Sequence, residues 1–145
     1  MDIAAIALSA LVAGTLDITA TGALMKAQGV PFRRLLQGVA SGALGRSAYE
    51  GGSRTAAIGL ALHFLIAAFW ATLYCAAAAQ WRGLPAHPIL FGAVYGVVVH
   101  LIMSRLVLPL SRLNRPFSWK AWLTQIPIHI VCVGIPIALV QSYWP

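Results

Sequence analysis

The chain has 145 residues, 60% of them hydrophobic and 9% charged, with ten Lys and Arg against three Asp and Glu. Soluble domains carry roughly 25% charged residues; a chain this short has too few charges to cover so much apolar side chain. An ordinary soluble domain is excluded, and the natural solvent is lipid.

Four apolar stretches follow one another, at approximately 3–25, 56–81, 89–110 and 121–143. Each exceeds the roughly 20 residues that cross about 30 Å of hydrocarbon. Backbone groups in lipid must be satisfied within the segment, so each stretch is expected to be a helix. The expected fold is all-α, a four-helix transmembrane bundle forming a single integral membrane domain over 1–145. The first stretch does not read as a cleavable signal: it lacks a basic leader, begins at Asp2 and contains Asp17.

The first connection, residues 29–54, is the long one. Pro31 suits the first turn of a helix. Leu35, Leu36 and Val39 fall on one side, with Arg33, Arg34 and Gln37 elsewhere. That pattern predicts an amphipathic segment near 31–48 lying in the cytoplasmic interface. Lys26, Arg33, Arg34, Arg46 and Arg54 surround this connection, and Arg112, Arg115 and Lys120 surround the third; the second has Arg82 alone. This asymmetry puts both basic connections in the cytoplasm and both termini on the periplasmic or extracellular side. It also accounts for the net charge of +7 without a nucleic-acid partner. The partner it implies is the bilayer, whose anionic headgroups favour the basic loops. Trp119 and Trp122 mark the cytoplasmic interface, and Trp81, Tyr143 and Trp144 the opposite one.

Cys75 and Cys132 differ in expected depth by roughly 13 Å at about 1.5 Å per residue. Disulfide Cα atoms lie within about 7 Å of one another, so no bridge is expected.

Depth counting also brings the intramembrane polar residues together. Asp17 lies nine residues from Lys26, His63 nine from Arg54 and His129 nine from Lys120. All three are then expected roughly 13 Å inside the cytoplasmic boundary. His100 falls about one turn deeper and Arg105 slightly shallower. Asp17 and Thr21 share a stripe with Ala13; Gly59, His63, Ala67 and Ala71 form another; Gly92, Gly96, His100 and Ser104 a third. Small-residue stripes mark faces where membrane helices approach closely, so these polar residues are expected to point into the bundle. Gln125 and His129 share a face of the fourth helix. The layer so defined is Asp17, His63, His100, Arg105, Gln125 and His129.

Such residues are costly in lipid and mark either structural pairs or functional sites. Three readings stay open. An Asp17–Arg105 ion pair with interhelical histidine hydrogen bonds would fix helix register. A chain of Asp and His would carry protons or small cations. His63 and His129, at one depth on different helices, have the placement of bis-histidine b-haem ligands. His87, before a proline in the second connection, reads as a solvated loop residue. No nucleophile motif surrounds Ser9, Ser104 or Thr124. With only Asp2, Asp17 and Glu50 as acids, paired-carboxylate catalysis lacks its parts. A non-enzymatic protein is expected, with no cofactor or metal assigned.

The runs LVAGTLDITATGAL, LQGVASGALGRSAYEGG, IGLALHFLIAAFWATLY and HIVCVGIPIAL, spread from Leu11 to Leu139, resemble the YagU-type family of small bacterial inner-membrane proteins. The resemblance implies a multi-pass protein of the bacterial inner membrane and supplies no reaction. Two functions are expected from the residues: proton- or small-cation-linked transport through the Asp/His layer, in a homo-oligomer because one bundle is small for a pathway, or an accessory or assembly subunit of a larger membrane complex. The second rests on Gly92, Gly96 and the Ala76–Ala79 run as smooth faces for another protein.

Overall fold

A computed structural model describes residues 2–113 and 117–144; Arg115, counted above with the basic third connection, lies outside the described residues. Of the described residues, 89% are helical. Four helices are long and apolar enough to span a membrane: α1 (Ile3–Ala27), α3 (Gly52–Gln80), α4 (Pro88–Leu110) and α5 (Trp119–Tyr143). Between the first two runs α2 (Phe32–Leu44), followed by a short 3₁₀ segment, Gly45–Tyr49. The four-helix all-α architecture expected from the apolar stretches is the one observed, with ends displaced by no more than four residues.

Local chemistry sets these ends. The Asp2 carboxylate accepts from Ala4 N–H at 2.8 Å and caps α1. At the other end Val30 N–H reaches Met25 O and Gly29 N–H reaches Lys26 O. This closure requires a left-handed residue, and Gly29 supplies it at φ +78°. Ser118 caps α5 through Ala121 N–H, and Pro88 occupies the first turn of α4, where its missing N–H has no helical partner to lose.

Hydrocarbon gives helices no hydrophobic reason to associate, so close backbone packing has to hold them. Gly134 of α5 lies against the backbone of Gly92 and Gly96 on α4, leaving no room for a side chain. Gly14 of α1 receives the Phe64 ring of α3, and Gly59 of α3 receives the Leu36 carbonyl of α2. Gly92 and Gly96 are therefore consumed inside the bundle and offer no face to another protein, which corrects that part of the accessory-subunit expectation. The core joins all four spanning helices through Ala13, Trp70, Tyr74, Val99 and Ile137. Leu11, Leu65, Phe69, Leu90 and Val131 point outward and stay exposed, as a lipid-facing surface requires.

The segment expected to float in the interface is packed more firmly than its amphipathic pattern implies. Leu36, Gln37, Ala40 and Ser41 are buried, and Gln37, placed on the polar side by the sequence, is 2% exposed. Its Nε2 donates to Gly52 O at 3.1 Å, and Thr55 Oγ1 donates to Ala48 O at 2.6 Å. The Thr55 hydroxyl satisfies Ala48 O near the end of the 3₁₀ segment, one of the terminal carbonyls that helix bonding leaves free. Arg112 N–H donates to Gly42 O at 2.9 Å, so the end of α4 joins α2 and the basic residues gather at one end of the bundle. At the opposite end Trp144 Nε1 donates to Asp2 Oδ2 at 2.6 Å, holding the two termini together.

Two of the spanning helices widen into π turns, at Met103–Val107 in α4 and His129–Gly134 in α5. Each contains the residue four positions before a proline: Arg105 before Pro109, and Cys132 before Pro136. The proline ring collides with that carbonyl in a regular helix. Widening the turn relieves the collision, with Leu108 N–H bonding Met103 O and Ile135 N–H bonding Ile130 O.

Candidate functional site

The polar residues named from sequence form separate groups. His63 on α3 reaches α1, with Nε2 2.8 Å from Gly14 O. A carbonyl can only accept, so Nε2 carries the hydrogen and donates. Gly14 makes this possible, since any side chain there would displace Phe64 beside the histidine. His63 is thus committed to joining two helices.

Asp17 lies one turn further along α1. Its Oδ1 is buried and has no hydrogen-bond partner among the described residues. Arg105 does not meet it. The Arg105 guanidinium instead lies over Phe117, Trp119 and Trp122, at 4.7, 5.5 and 5.1 Å from the ring centroids. The expected Asp17–Arg105 pair is therefore absent. Arg105 follows Ser104 by one residue and so leaves the stripe that carries His100.

The second group sits between α4 and α5. His100 is 3% exposed, and its Nε2 is buried with no partner. Its ring meets His129 edge to face at 5.0 Å and Trp122 at 5.1 Å. His129 Nδ1 donates to the Gln125 carbonyl one turn back, at 2.9 Å. The backbone of Gln125, not its amide side chain, is what this group uses. In neutral His129 the other nitrogen, Nε2, is then the basic one. Trp122 Nε1 donates to Ser104 Oγ at 2.9 Å and closes the group toward the basic end.

From the sequence, Trp122 is only an interface marker, and Cys132 only a cysteine too far in depth from Cys75 for a bridge. Trp122, Gln125, His129 and Cys132 follow one another at spacings of three, four and three. On a regular helix that spacing is one face, and it was the available signal as far as His129, where the π turn begins. Cys75 and Cys132 are both free thiols. A buried aromatic group was also missed: Tyr95 donates its hydroxyl to Trp70 O at 2.6 Å, while Tyr74 OH and Trp70 Nε1 are buried without partners.

The histidines do not suit a haem. His63 holds its Nε2 on Gly14, and His129 meets His100 instead of His63, so the two expected ligands do not face one another across a gap. No group of three or more His, Cys, Asp or Glu among the described residues has the geometry to hold a metal ion. Asp17 on α1, and His100 beside His129 between α4 and α5, are thus the polar residues of the layer left with an unpartnered buried atom. His87 is exposed in the second connection.

No family model, curated protein or solved structure matches the chain.

Proposed function

We propose that this is a non-enzymatic protein of the bacterial inner membrane, of the YagU type, that moves protons or small cations along Asp17, His129 and His100. The observation that carries the reading is the pair of buried, unpartnered atoms, Asp17 Oδ1 and His100 Nε2. An unsatisfied polar group in hydrocarbon costs several kcal/mol; of the four such atoms among the described residues, Trp70 Nε1 and Tyr74 OH already carry their hydrogens, whereas Asp17 Oδ1 and His100 Nε2 can accept one, so these two call for a mobile partner, water or a proton. Both termini lie on the periplasmic side in this reading, because the basic residues collect at the other end of the bundle. His63 holds α3 on α1 and takes no part in transfer. A homo-oligomer completes the pathway, since a single four-helix bundle encloses little water.

The test is flux in proteoliposomes. Asp17→Asn keeps the shape and removes the titratable group, and it should abolish pH-driven flux. Undiminished flux in that variant would remove Asp17 from the pathway.

A further inference from the structure

The aromatic setting of Arg105 is not explained by proton transfer. Three rings, Phe117, Trp119 and Trp122, surround one guanidinium, and the site is open: Phe117 is 51% and Trp119 62% exposed. Arg105 is itself exposed, and none of the three acids of the chain pairs with it among the described residues. Rings stack on the faces of a guanidinium and leave its N–H edge free to bind oxygen. Arg105 lies five residues before the end of α4, about 7.5 Å along the axis. Its head nevertheless reaches Phe117 and Trp119, at the start of α5, by extending toward the interface as long cationic side chains do. The charge is therefore delivered to the level of the headgroups. Lys120 in the first turn of α5 and Arg112 beyond the end of α4 add positive charge to the same end of the bundle.

We propose that Arg105, held by Phe117, Trp119 and Trp122, binds the phosphate of an anionic phospholipid headgroup. A guanidinium forks onto phosphate oxygens with charge-assisted hydrogen bonds. The surrounding rings fix its orientation, so little side-chain freedom is lost on binding. An anionic headgroup is preferred to a zwitterionic one because the neighbourhood holds cations and no paired acid.

The test uses the purified full chain in detergent, titrated with brominated phosphatidylglycerol or brominated phosphatidylcholine, with tryptophan quenching as the readout. Trp119 and Trp122 lie at the site and should be quenched at lower concentrations of phosphatidylglycerol. Arg105→Gln should weaken that apparent affinity roughly fivefold, the effect of one cation near an anionic surface, and leave phosphatidylcholine unchanged. Arg105→Lys keeps the charge without the planar fork and should fall between them. Circular dichroism establishes that each variant folds, and the comparison of the two lipids on the wild-type chain stands if one does not. Equal quenching by the two lipids, or unchanged phosphatidylglycerol affinity in Arg105→Gln, would overturn the proposal. So would relief of the quenching by inorganic phosphate at concentrations comparable to the lipid, which would assign the site to free phosphate.

Discussion

His100 and His129 meet edge to face with ring centroids 5.0 Å apart, and a glycine sets their separation. A Cβ on Gly96, one turn before His100, would lie 2.5 Å from the His129 carbonyl and 2.6 Å from Ile130 Cα. Both obstacles are backbone, so neither yields by a rotamer change. The histidine contact is a consequence of how closely α4 crosses α5.

Gly96→Ala should therefore destabilise the protein by about 1–3 kcal/mol, the usual range for overpacking. Gly38→Ala is the control. A Cβ there meets only the Tyr49 hydroxyl at 3.7 Å; the change should be neutral, or stabilising by up to about 1 kcal/mol through helix propensity. Unfolding titrations in mixed micelles compare the two.

His63 should behave as a structural link. His63→Ala removes the bond to Gly14 O and should lower stability by about 0.5–2 kcal/mol, the range for interhelical hydrogen bonds in membranes. His63→Gln can still donate across the gap and should recover part of that loss in the same titration.

The spans were legible because length and apolarity alone decide them in lipid, and Asp2, Gly29 and Ser118 show local reasons for three of the ends. The association of His100 with the fourth helix was partly legible from depth. Angular position was harder to read. Both α4 and α5 contain π turns, and an ideal 3.6-residue wheel drawn through His129 and Cys132 loses phase across such a turn. Arg105 illustrates a second limit: depth counting put it near Asp17, but its long side chain runs to the interface and finds three rings. Gln37 illustrates a third, since the amphipathic pattern of α2 did not reveal that α3 would cover its polar side.

Where the two termini meet, the Trp144 indole and then the Ala4 amide hold the Asp2 carboxyl below the ordinary aspartate range, which is about 3.9 in unfolded chains. A carboxyl lowered on folding adds stability that is present above its unfolded value and is lost as pH falls through the folded one. The contact between the termini should thus persist at neutral pH and loosen in acid. Trp144→Phe should raise the Asp2 midpoint, as followed by carboxyl NMR, and remove most of this dependence.

The central claim is that Asp17, His129 and His100 conduct while His63 only supports, and proton flux across proteoliposomes loaded with a pH dye tests it most directly. The wild-type chain should dissipate an imposed pH gradient faster than protein-free vesicles. His100→Gln should fall to the vesicle baseline, and His63→Gln should retain its flux. Wild-type flux at the baseline, or His100→Gln conducting as well as the wild type, would contradict the account.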